Sequence, residues 1–159
     1  MMRAGQSKKQ FPRAALFGAL ALGMQACSRG ADSGPPSVNL GDSTCVECGM
    51  IVSDERFATS TIIIGERGRQ PLVFDDFNCQ INFEQQHPEL DVVTRWSHDY
   101  LSPAWHETAE GWFVVSEQIR SPMASSMAFF KNRADADTHA VSVSGSVERF
   151  EAVRAKSDG

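Results

Sequence analysis

The chain has 159 residues, with 15 Lys plus Arg against 20 Asp plus Glu, 42% hydrophobic residues, four cysteines and six methionines. Arg3, Lys8, Lys9 and Arg13 fall in the first 26 residues, which hold no acid, so a chain beginning at Cys27 has 133 residues and a balance of 11 against 20, a charge of −9. That acidity excludes nucleic-acid or anionic-lipid binding through a basic surface, and the length suits one packed unit or two half-domains sharing a core, not a second full-size domain.

Residues 1–26 have the layout of an export signal: a basic start, the apolar run Ala14–Met24, and the small residue Ala26 before Cys27. The apolar run is too short to span a bilayer as a mature helix. Ala26-Cys27 resembles a bacterial lipobox, although Met24 stands where Leu is usual and Gln25 is an uncommon neighbour. Cys27 is therefore expected to carry lipid, and the Gly-, Ser- and Pro-rich residues 27–43 to be a tether holding the domain off a membrane. Ser28, standing where a retention Asp would sit, directs the anchor to the outer rather than the inner membrane, facing the periplasm.

Within 44–104, Phe57–Ile64 is rich in Thr and Ile and reads as a strand, Gly65–Gln70 as a turn, and Pro71–Asp75 as its hairpin partner. Asp76 or Asn78 then caps a helix to about Gln86, ended by His87-Pro88, and Val92–Tyr100 is a third strand. The segment 105–153 repeats that order: Gly111–Ser116 and Met127–Phe130 as strands, a helix from Asn132 or Asp135 to about Val143, and Ser146–Val153 as the closing strand. Residues 154–159 read as a frayed tail. The expected fold class is α+β, two β-β-α-β units packed together.

Cys45-Val-Glu-Cys48-Gly-Met50 is the most informative stretch. Two thiols at this spacing reach one soft metal or each other, Gly49 permits a tight turn, and Met50 adds a thioether. Thiolate with thioether suits Cu(I), whereas zinc seldom takes methionine. Other uses stand beside this one: a Cys45–Cys48 disulfide, a thioredoxin-like redox pair, a zinc site, or Met50 as core. Cys79, beside Asn78 on the expected helix, reads as a small apolar packing residue, Met127 as core, and Asp75 and Asp76 as capping residues at a strand-to-helix junction. No Ser/His/Asp signature, phosphate loop or nucleotide fingerprint is present, so the chain reads as a binding protein rather than an enzyme.

Cys45-x-x-Cys48-Gly-Met50 near the mature start, the lipoprotein-like leader, Phe74-Asp75-Asp76-x-x-Cys79, Gly111-Trp112, and Pro122-Met123 followed by Ala128-Phe129 resemble NosL, the nitrous oxide reductase accessory lipoproteins. The resemblance runs from about residue 43 to 152. It implies two β-β-α-β units, an arrangement likened to that of organomercurial lyase, in a membrane-tethered periplasmic Cu(I) chaperone. It also implies delivery of copper to nitrous oxide reductase with a NosDFY-type transporter complex, by a monomer or transient heteromer. Carried over by position, Cys48 and Met50 are the leading copper ligands, Met123 follows as a thioether from the second unit, and Cys45 is a further ligand. His98, on the third strand, and His106, in the inter-unit loop, are candidates for an additional ligand; His87 and His139 read as a helix end and a helix surface. The chain departs from the family at Ala124, where glycine is common after Pro-Met. The rival readings are a membrane-tethered thiol-disulfide oxidoreductase using Cys45 and Cys48, and a structural lipoprotein subunit.

Overall fold

The computed structural model of the chain describes residues 34–157; the leader, Cys27 and the first part of the expected tether lie outside them. Strand β1 (Thr59–Gly65) pairs antiparallel with β2 (Gly68–Phe74), in register from Thr59 opposite Phe74 to Gly65 opposite Gly68. Gly68 closes this hairpin at a φ of +91°, a left-handed conformation that glycine adopts without steric cost. Helix α1 (Phe77–Gln86) follows, and β3 (Val92–His98) returns along the other side of β1. The second half repeats this with β5 (Trp112–Val115), β6 (Met127–Phe130), α2 (Arg133–Ser142) and β7 (Ser146–Glu148). In both sheets the first strand of the unit is central and the second and third flank it.

Four local differences from the sequence reading have physical causes. Phe57 does not open β1; it ends a 3-10 turn, Glu55–Phe57, whose start Asp54 caps by accepting the Arg56 backbone N–H. A short strand β4 (Trp105–Glu107), expected as part of the second unit, extends the first sheet by pairing with β3. Its three residues are too few for an alternation signal. The closing strand expected over 146–153 stops at Glu148, and Phe150–Ser157 forms helix α3, so residues 154–157 of the expected frayed tail are helical. Phe150 and Val153 stand three apart, so one helix face buries both, while Arg154 and Lys156 fall in the last turn, where cations oppose the helix dipole.

Helix α1 joins the two halves. Phe77 and Ile81 pack with Phe113, Met127, Phe129, Phe150 and Val153, and the Phe77 and Phe113 rings meet edge to face at 4.8 Å. Each fully buried phenylalanine here contributes roughly 1.5–3 kcal/mol. A polar clamp fixes the helix against the first sheet: Glu84 Oε1 accepts the Thr61 hydroxyl at 2.6 Å, and the Arg95 guanidinium donates to both Glu84 oxygens at 2.7–2.9 Å. Gln80 Nε2 donates to Thr61 Oγ1 at 3.0 Å. Phe77, Gln80, Ile81 and Glu84 occupy this inward side, which leaves Cys79 and Phe83, four residues apart, on another buried face. Among the described residues no helix is long and apolar enough to cross a membrane.

Candidate metal centre

The Cys45–Met50 segment is a closed loop held at both ends. Thr44 and Ile51 form an isolated antiparallel bridge, Cys45 N–H donates to the Met50 carbonyl at 2.8 Å, and Gly49 N–H returns to the Cys45 carbonyl at 3.0 Å. Gly49 makes this return at a φ of +72°, which disfavours any residue with a Cβ. The loop lies on β2 through Val46 N–H to the Val73 carbonyl, and reaches the far end of α1 through Gln86 Nε2 to Glu47 Oε1 at 3.1 Å. Its exit is tied to the strand-to-helix junction, where Asp75 Oδ1 accepts Ser53 N–H at 2.8 Å.

This docking turns the thiols inward. Cys45 is 1% exposed, Cys48 half-buried, and both pack with Phe74, Leu72 and Phe83. Cys79 joins them from α1 at 3% exposure, and the sulfurs of Cys45, Cys48 and Cys79 all lie within 4.8 Å of one another as free thiols. Burial, and after it the adjacent Cys45 and Cys48, push the Cys79 thiol far above the ordinary thiol range. Cys79 does pack as the sequence reading expected, but its sulfur also completes a three-thiol cluster. The packing reading rested on its place in the expected helix, and the two partners stand 34 and 31 residues away.

The second methionine arrives on the loop after β5. Ser121 to Ala124 form a turn, closed by Ala124 N–H to the Ser121 carbonyl at 3.2 Å, with Pro122 at the position where its fixed φ is favoured. Asp76 Oδ2 collects this loop: it accepts Ser121 Oγ at 2.7 Å, Met123 N–H at 2.8 Å and Ser125 N–H at 3.3 Å. Asn78 Nδ2 donates to the Met123 carbonyl at 3.1 Å. Asp76 stands at the N-cap position of α1 but makes no side-chain cap bond, and Asp75 makes its bond to Ser53. The capping role expected for both is therefore replaced by a tethering one: the Asp-Asp pair holds one methionine-bearing loop with each carboxylate. Met50 and Met123 are 60% and 38% exposed, whereas Cys45 and Cys79 are buried.

The sequence matches the NosL family over residues 38–157. The chain belongs to the NosL family. Among solved structures, the crystal structure of the copper chaperone NosL from Shewanella denitrificans has the same fold, with a TM-score of 0.63 and 20% identity, over 74% of this chain and 93% of that one. No curated protein matches the sequence. The α+β architecture with two packed antiparallel sheets is the NosL fold.

The histidines considered as additional ligands in this NosL chain stand apart from the thiol cluster. His98 is buried at the end of β3, where its Nδ1 hydrogen-bonds the Glu55 carbonyl and its ring lies 3.8 Å from that of Trp105. Burial holds its pKa below the usual imidazole value, against the opposing pull of the Glu55 carbonyl. His106 lies in β4, not in an inter-unit loop, opposite Ser97 and parallel to the Phe129 ring at 6.5 Å. His87 caps the C-terminal end of α1, as expected, and its ring lies tilted 4.4 Å from that of Phe83, a wall of the thiol cluster. His139 is half-buried on α2, one side of its ring packed against Tyr100 and Phe130, and desolvation lowers its pKa. Sequence reasoning missed Cys79, Asp75, Asp76 and Asn78 as parts of the site. Their clustering within five residues of a strand-to-helix junction is the signal that marks them.

Proposed function

We propose that this chain is a copper carrier that holds Cu(I) as cargo and passes it to a partner by ligand exchange. The observation that carries the reading is the cluster of three free thiols within 4.8 Å, bordered by two loops that present exposed methionines. Thiolates and thioethers favour Cu(I) over harder cations, and a thioether keeps its donor capacity where thiols oxidise. Membership of the NosL family and the fold shared with a protein described as a copper chaperone support it.

Cys48, Met50, Met123 and Cys45 are the residues proposed to bind copper. Exposed thioethers suit release, because an incoming ligand reaches the metal from the same side. The destination implied by the family is the copper centres of nitrous oxide reductase, reached through a NosDFY-type transporter complex, with the domain tethered in the periplasm by lipid on Cys27. The oxidoreductase alternative is the weaker one. A redox-active C-x-x-C draws a low thiol pKa from a helix N-terminus, whereas here the Cys45–Cys48 stretch is turn and no helix follows it.

Titration of the reduced chain with Cu(I) against a competing chelator tests this reading. Wild type should win copper, and a Cys48→Ser, Met50→Leu double variant should bind orders of magnitude more weakly; equal retention by both would remove the assignment. Intact mass of membrane-extracted protein tests the anchor, since an unmodified Cys27 thiol, or cleavage elsewhere, contradicts it.

A further inference from the structure

The geometry points to a second, inner copper position made of Cys45, Cys48 and Cys79, distinct from the outward one that Met50 and Met123 border, with Cys48 common to both. It deepens the carrier reading and rests on it.

With metal–sulfur bonds of about 2.3 Å, three sulfurs in a plane around one ion stand about 4 Å apart. The three sulfurs here already lie within 4.8 Å of one another, so approaches of less than about 1 Å close the triangle. No other His, Cys, Asp or Glu among the described residues joins the group. That count discriminates between metals: structural zinc takes four ligands in a tetrahedron, whereas a three-sulfur set suits a soft ion of low coordination number, Cu(I) above all. The position is also preorganised. Cys79 is fixed by the Glu84 clamp and by the Phe77 and Ile81 packing of α1, and the Cys45–Cys48 turn by its bonds to Val73 and Gln86, with the chain beyond it held by Ser53 to Asp75.

The two positions differ in access. Cys45 and Cys79 are nearly solvent-free and walled by Phe74, Phe83 and Leu72, so copper held there is shielded from water and oxidants. Cys48 alone of the three is half-exposed, and Met50 beyond it is open to solvent. Copper resting on the three thiolates moves outward by exchanging Cys45 and Cys79 for Met50 and Met123 while Cys48 stays bonded. One metal–sulfur bond persists throughout, no electron is transferred, and the thiols released take up protons from solvent.

The test uses the full chain, reduced and loaded with one equivalent of Cu(I), in wild-type, Cys79→Ala, Cys79→Ser and Met50→Leu/Met123→Leu forms, with folding verified by circular dichroism. X-ray absorption should count three sulfurs in wild type and still three in the methionine double variant, which should release copper to a chelator at least tenfold more slowly. Either Cys79 variant should lose one sulfur and at least tenfold in affinity. A folded Cys79 variant with unchanged affinity and spectrum overturns the inner position, as does loss of sulfur scatterers in the methionine double variant; the latter can be read even if both Cys79 variants unfold. Failure of wild type to compete for Cu(I) at all overturns instead the carrier reading.

Discussion

The carboxylate of Asp76 accepts the backbone N–H of Met123 at 2.8 Å across 47 residues of sequence, tying the methionine of the second half to the helix that carries Cys79 in the first. The same oxygen holds Ser121 and Ser125, so a single buried acid organises the whole loop. Next to it, Asp75 does the same for the exit of the Cys45–Met50 loop through Ser53. Both methionine-bearing segments are thus held from one point, the turn between β2 and α1.

Asp76→Ala should free the Met123 loop. It removes the acceptor for three donors, two of them backbone N–H groups, and should lower the unfolding free energy by about 2–4 kcal/mol. Amide hydrogen exchange is the decisive measurement: Met123 and Ser125 should lose protection in the variant while the β1 amides keep theirs. Unchanged protection at Met123 and Ser125 would show that Asp76 does not hold the loop.

Ala124 adopts a φ of +58°, in the left-handed region that favours glycine. A left-handed alanine costs roughly 1–2 kcal/mol, part of which glycine gives back through its greater unfolded-state entropy. Ala124→Gly should therefore stabilise the protein by about 0.5–1 kcal/mol, and Ala124→Val should destabilise it. Urea midpoints read at constant slope check both, and a destabilised glycine variant would contradict the left-handed assignment.

Glu84 is buried and is paired with Arg95 through two guanidinium nitrogens, with Arg154 further off at 4.0 Å. Arg95→Ala leaves a carboxylate with its main counter-charge gone and should cost about 3–5 kcal/mol. Adding Glu84→Gln should recover a substantial part of that loss, because the uncompensated charge goes too. Chemical denaturation of the single and double variants decides; equal stability of the two would mean that the loss comes from packing.

His98 supplies a pH dependence with a definite sign. Burial depresses its folded pKa below the 6.5 of the free side chain, so between those values the unfolded chain binds more protons than the folded one. Its contribution is complete above pH 6.5 and is lost as pH falls through the depressed folded value. Urea unfolding at pH 7.5 and 5.5 should show lower stability at 5.5, with a smaller drop in His98→Gln. An identical drop in the variant would assign the effect to other groups, of which His139, depressed by burial in the same direction, is the first to test.

Local pattern was sufficient for much of this protein. The Thr- and Ile-rich run Thr59–Ile64, the hairpin turn, the helix stop at His87-Pro88 and the second pass through strand, strand, helix and strand are properties of neighbouring residues, and they led to the α+β, two-unit fold. The Cys45–Met50 motif was legible for the same reason, since its donors lie within six residues. What the sequence left undecided depends on contacts between distant segments. Cys79 becomes part of a sulfur cluster only because α1 is clamped to β1 and β3 by Glu84 and Arg95, and Asp76 becomes a loop anchor only because Phe77 and Phe113 bring the halves together. The short β4 and the helical turn taken at Phe150 were likewise settled by partners outside their own segments. A one-dimensional pattern carries the periodicity that chooses helix or strand; which buried thiols meet, and which carboxylate holds a remote loop, depends on packing energies that exist only once the two sheets close on α1.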